Sequence, residues 1–128
     1  MPKPSMMFSG LPPSCPPEPR DSSALSGVYR VLQGAAPVDW DWLSLRDRGV
    51  PLPFGGDSCK YAGLSLFRNP KAARKLQNLK HLTHAARMEF PEGTGAHTGG
   101  SKGNHVTIWI ADGKSCADCV AEVVEIEL

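Results

Sequence analysis

The chain has 128 residues, 41% of them hydrophobic and 21% charged, which suffices for one modest core and excludes two domains. Fourteen Lys and Arg against thirteen Asp and Glu leave a formal charge of +1, so there is no global polybasic signature of a nucleic-acid or membrane binder. No apolar run approaches the ~18–20 residues needed to cross a bilayer.

From position 1 to 26 the chain is dense in proline, with Pro12-Pro13 and Pro16-Pro17, and offers few large apolar side chains to bury. That composition predicts a disordered or polyproline-like arm, with 27–128 as a single α+β domain. Met6-Met7-Phe8 is too short for the apolar core of a secretory signal, which predicts cytoplasmic residence and reduced thiols at Cys15, Cys59, Cys116 and Cys119. The Pro-rich stretch also has the composition of a ligand for a proline-recognition partner.

Val28-Tyr29-Arg30-Val31-Leu32 has strand composition, and Gly34 ends it. Asp39 is placed to cap a short helix through Arg48, stopped by Gly49 and Pro51. After a loop with Gly55-Gly56, residues 61–67 form a second strand. Asn69 and Pro70 then open a longer helix, whose stripe of Ala72, Leu76, Leu79, Thr83 and Ala86 faces inward. Lys71, Arg74, Lys75, Lys80 and Arg87 make its other sides basic. Such a face is either a solvated surface or an electrostatic site for a phosphate-bearing ligand or acidic partner. Met88-Glu89-Phe90 suggests a short strand, and 93–103 a glycine-rich loop. His105 to Ile110 is the strongest strand, expected centrally in the sheet, and Asp112-Gly113 turns the chain. Val120 to Leu128 reads as a final strand, with a helix started by Ser115 and Asp118 as its rival. The expected fold is therefore a small, mixed but mainly antiparallel, split β-sheet with one or two packed helices.

Three of these strands place a polar group on an apolar face: Arg30 between Val28 and Leu32, Ser65 beside Phe67, and Glu122 between Val120 and Val124. An arginine, a hydroxyl and a carboxylate turned inward describe either a pocket or an internal Arg30–Glu122 ion pair. His105 follows the glycine-rich loop, where an imidazole can donate a hydrogen bond or act as a general base. Residues 95–102 imitate a phosphate-binding loop, but serine and lysine are transposed and a strand follows, so that reading fails. Cys116 and Cys119 have the spacing of half a zinc site; His81 and His84 would have to complete it, and no metal is expected.

Tyr29-Arg30, then Gly63-Leu64-Ser65-Leu66-Phe67, then Phe90-Pro91-Glu92-Gly93-Thr94 and His105-Val106-Thr107-Ile108 together resemble the small ADP-ribosyltransferase-like toxins and effectors of bacteria. The resemblance implies a split sheet that grips NAD. It places Tyr29 and Arg30 on the cofactor, sets Ser65 to support the nicotinamide and makes Glu122 the residue that directs transfer, with Ser65 and His105 as the other catalytic candidates. It further implies a protein or nucleic-acid target, a cognate immunity or antitoxin protein, and delivery by a specialised secretion system. A fixed carboxylate suits that chemistry, because transfer from NAD develops positive charge at the ribosyl carbon. The other reading of the same residues is a non-catalytic α+β interaction module.

Overall fold

In the computed structural model, described for residues 7–17, 21–52, 54–73, 83–98 and 104–126, six strands build one antiparallel sheet. The strands are β1 (Leu25–Leu32), β2 (Leu64–Phe67), β3 (His84–Phe90), β4 (Gly95–His97), β5 (His105–Ile110) and β6 (Val120–Glu125). Their spatial order is β4-β5-β2-β1-β3-β6, so β5 is flanked on both sides and β4 and β6 form the edges. Helical structure among the described residues is confined to short turns, α1 (Ser58–Tyr61) and α2 (Pro70–Ala73), with 3-10 turns at Asp39–Trp42 and Ala117–Cys119.

Strand parity divides the apolar residues between two faces. Val28, Leu32, Leu64, Leu66, Ala86, Met88, Val106 and Ile108 pack on one face, beneath Trp42, Cys116 and Cys119. Val31, Phe67, Ala85 and Ile126 form a smaller cluster on the other, with Tyr29 and Val124 at its margin. α2 lies against β1 and β2.

Several expected elements differ. The helix from Asp39 to Arg48 breaks at Leu43, whose backbone is extended (φ −93°, ψ 137°). The carbonyls of Asp41 and Leu43 are turned to the Arg30 guanidinium instead of along a helix axis. Asp41, fully buried, caps the turn in place of Asp39, its carboxylate accepting from the amides of Gln33 (3.1 Å) and Val38 (2.8 Å). The expected helix after Asn69 keeps its start at Pro70. Its middle, 74–82, lies outside the described residues, and its end is strand β3. Ala85 and Ala86 are wholly buried there between β1 and β6, so tertiary pairing overrides the helix preference of alanine. Part of the expected glycine-rich loop is strand β4; a Cβ on Gly95 would sit 2.2 Å from the Trp109 carbonyl, an approach of two backbones that only glycine permits.

The amino-terminal arm is not detached where it is described. The Asp112 carboxylate accepts from the Ser9 amide and hydroxyl, and the Asp112 amide donates to the Met7 carbonyl (2.7 Å). Arg46 donates to the Gly10 carbonyl (2.6 Å). Cys15, buried, is joined to Cys59 by a disulfide, which corrects the expectation of four reduced thiols; Cys116 and Cys119 are free. Further along, the His97 amide donates to Asp21 and the Gly93 amide to Ser22, so the chain is already hydrogen-bonded to the sheet before β1 begins. Strand formation starts at Leu25, two residues before the expected domain boundary. Sequence alone could not see these anchors, because each uses a partner 36 to 105 positions away.

Candidate functional site

The three polar residues expected to converge are divided by the sheet. Arg30 lies on the larger apolar face, as its position between Val28 and Leu32 predicts. Its guanidinium is consumed internally: Nε donates to the Asp41 carbonyl (2.8 Å), Nη1 to the Ser65 carbonyl (2.9 Å) and Nη2 to the Leu43 carbonyl (3.1 Å). Burial, with a further push from Arg48, lowers its pKa to about 10, which leaves it charged at neutral pH. It ties the chain that follows β1 to strand β2.

Ser65 and Glu122 point to the opposite side. Ser65 pairs with Thr107 across β2 and β5. On β6 a bulge sets Met88 opposite Val120 but Arg87 opposite Glu122, so Val120 and Glu122 fall on different faces. The apolar neighbours expected to carry Glu122 inward therefore do not share its side. Glu122 is exposed and accepts from Arg87 Nε (3.0 Å), which also contacts Glu89. Arg87 is correspondingly raised above the ordinary arginine pKa, first by its hydrogen bond to Glu122. The alternative Arg30–Glu122 ion pair is likewise absent: Glu122 takes Arg87 and Arg30 takes carbonyls.

The exposed side nevertheless brings other expected residues into one row. His105 faces Phe67, Phe67 faces Tyr29, Tyr29 faces Arg87 and Arg87 faces Glu122. The His105 and Phe67 rings meet edge to face at 5.5 Å. Burial, and then Lys60, pushes the His105 pKa below its ordinary value. Ser65 lies two residues off this row on β2 and at least three interstrand spacings, about 14 Å, from Glu122, and His105 lies four, about 19 Å, from Glu122 along it. Side chains so spaced do not meet at one reacting carbon.

Cys116 and Cys119 sit over the larger core. Desolvation pushes the Cys116 thiol up to about 12, and burial raises Cys119 as well, so both are poor thiolates at neutral pH. His84 is on β3 and His81 lies outside the described residues. Among the described residues no three His, Cys, Asp or Glu side chains are grouped as metal ligands.

What sequence reasoning missed is the surface between β1 and α1. Among the described residues seven large hydrophobic side chains are exposed, and six of them, Val38, Trp40, Leu45, Val50, Leu52 and Phe54, lie in this one connection. The connection is braced. Asp41 and Arg30 hold its base, the Tyr61 hydroxyl shares its one proton between the carbonyls of Val50 and Pro51 (2.7 Å from each), and Arg48 lies over the Trp40 ring at 5.2 Å. Val38 and Trp40, and Val50, Leu52 and Phe54, do stand two apart, but Pro51 and Pro53 interleave the second group and Leu45 stands alone, so no regular element marked them in the sequence. Comparison with family models, with curated proteins and with solved structures finds no match to this chain.

Proposed function

We infer that this chain is a non-catalytic protein-interaction module that docks its partner on the connection between β1 and α1. The observation that carries this reading is the concentration of the exposed Val38, Trp40, Leu45, Val50, Leu52 and Phe54 in one braced connection. Isolated exposed apolar residues are ordinary, but six from one connection, with tryptophan, phenylalanine and a stacked arginine among its residues, have the composition of an interface hot spot. Bracing by Arg30 and Asp41 reduces the ordering cost of binding. The partner is a folded protein that offers an apolar recess, as an immunity or antitoxin protein would. The Cys15–Cys59 disulfide supports an oxidising compartment, reached by export, over residence in the cytoplasm.

An NAD-dependent transferase draws its support from the row of Tyr29, His105 and Glu122 on one face, and the same experiment separates the two. A photocrosslinker replaces Leu52 in source cells, with position 125 on the β6 edge as the control, and the captured protein is purified and titrated against the full chain. Trp40→Asp and Phe54→Asp should each weaken that complex roughly thirtyfold, the ~2 kcal/mol expected of a hot-spot aromatic. A complex indifferent to both substitutions refutes the docking surface. NAD turnover that disappears in Glu122→Gln establishes the transferase instead.

A further inference from the structure

Residues 7–17 form a strap tied to the domain at three places, the middle one being the Gly10 carbonyl, which accepts from Arg46 (2.6 Å). Near its start, Ser9 is bonded to Asp112; at its end, Cys15 is bonded to Cys59. Between these anchors Phe8, Ser9 and Leu11 wall a cavity of about 170 Å³ whose other sides include Ala62, Leu64, Ile108 and Ile110. Trp42, Ser44, Arg46 and Asp47, from the connection that carries the exposed apolar surface, complete the same cavity. The strap therefore covers apolar residues that adjoin the proposed docking surface.

The anchors differ in strength. Ser9 and Asp112 are exposed, so their hydrogen bonds compete with water. The disulfide is the covalent link between strap and α1, and the α1 residue Cys59 is only half-buried. Cys59 also accepts the indole N–H of Trp109 through its carbonyl (2.8 Å), which ties α1 to β5 independently of the sulfur. Opening the disulfide therefore leaves the strap to its non-covalent contacts, among them the hydrogen bonds joining Met7 and Ser9 to Asp112 and Gly10 to Arg46, without cutting α1 from the sheet. The remaining cysteines do not interfere, since Cys116 and Cys119 are buried and held as thiols.

We propose that the Cys15–Cys59 disulfide is a redox latch whose reduction releases the 7–17 strap and extends the apolar docking surface onto Leu64, Ile108 and Ile110. A dithiol reductant supplies the two electrons. Its thiolate attacks Cys59 Sγ, the Sγ–Sγ bond breaks and Cys15 leaves as a thiolate that takes up a proton; the reductant's second thiol then closes on the mixed disulfide and releases Cys59. The function of the newly bared surface rests on the docking reading above, whereas the latch itself does not.

Hydrogen exchange on the full chain, with and without dithiothreitol, tests it. Exchange across 7–17 and at the Asp112 amide should accelerate roughly tenfold or more on reduction, while β1, β2 and β5 stay folded and remain the slowest-exchanging segments. Cys15→Ser should show fast strap exchange without reductant, and a Cys116→Ser/Cys119→Ser double variant should respond as wild type does. An unchanged strap overturns the latch, and a sheet that unfolds together with the strap on reduction overturns it too, by making the disulfide a staple of the whole fold. Once a partner is in hand, tighter binding after reduction supports the extension of the docking surface, and affinity indifferent to reduction removes it. Loss of binding in Phe54→Asp with no change in its strap response confirms that the two ideas are being tested separately.

Discussion

Replacing Arg30 with methionine distinguishes a structural arginine from one that holds a cofactor. The substitution keeps an unbranched chain of similar reach against Val28, Leu32 and Ala86 but removes the donors to three carbonyls, those of Asp41, Leu43 and Ser65. Bonds to a charged donor contribute more than neutral ones, yet the site is only partly buried and water can reach part of it, so about 1 kcal/mol per orphaned carbonyl is appropriate. The sum is about 3 kcal/mol. Unfolding entropy near 2.1 cal/mol/K per residue amounts to about 0.27 kcal/mol/K for 128 residues, which converts that loss to a fall in Tm of about 11 °C. Arg30→Lys should recover little, because one ammonium cannot address three carbonyls from two segments in the planar fork that a guanidinium provides. Circular dichroism melting gives the stability, and calorimetric titration with NAD gives any binding. A Tm within 2–3 °C of wild type would falsify the structural assignment, most decisively if NAD affinity were lost in the same protein.

The disulfide and the titrating groups give further expectations. Replacing both Cys15 and Cys59 with serine removes a cross-link with a sequence separation of 44, worth about 4 kcal/mol by loop-closure entropy, so Tm should fall by up to about 15 °C with the sheet still folded at 25 °C; thiol labelling of the unfolded wild-type chain should count two free cysteines, and a count of four would remove the bond. His105 has a lowered native pKa, so its contribution to stability is complete above its ordinary value of 6.5 and is lost as pH falls through the lower native value. Asp112 and Asp21 are held below the ordinary 3.8 by their hydrogen bonds to Ser9 and Ser23, so their contributions are present above that value and disappear as pH falls through the native pKa values. Melting temperatures measured from pH 7 to 3 should therefore fall on acidification in two stages, and a rise in either window would contradict the assigned protonation states.

Strand periodicity was legible wherever bulky apolar residues alternate with polar ones, as in β5 and in β1, where Arg30 was correctly read onto the face of Val28 and Leu32. It was obscured in β3, because the buried Ala85 and Ala86 are small and favour helices in isolation. The antiparallel sheet and the inward course of Arg30 were thus available from local pattern. The partner of Arg30 was not, since a guanidinium donating to backbone carbonyls leaves no complementary acidic residue in the sequence. Long-range bonds likewise hid the arm, whose prolines describe a free polypeptide until Cys15 meets Cys59.

Glu122 shows how one residue redirects a functional reading. The alternation Val120, Glu122, Val124 places all three on one face of a regular strand, but the bulge at Ala121 sets Val120 on the larger core while Glu122 and Val124 turn to the other side. Pairing across the bulge runs Met88 to Val120 and Arg87 to Glu122, so deleting Ala121 would make those two pairs consecutive in an uninterrupted ladder. The deletion should therefore preserve both registers, keep the Arg87–Glu122 contact and leave Tm within a few degrees of wild type. It should also straighten the sheet edge, since bulges interrupt the pairing surface that an edge strand offers to another chain, and self-association measured by sedimentation should increase. If the deletion instead unfolds the protein, the bulge is required for closure of the 115–119 turn on the core. If Glu122 moves inward on deletion, as loss of its bond to Arg87 in NMR spectra would reveal, then the face assignment on which the surface row depends is wrong.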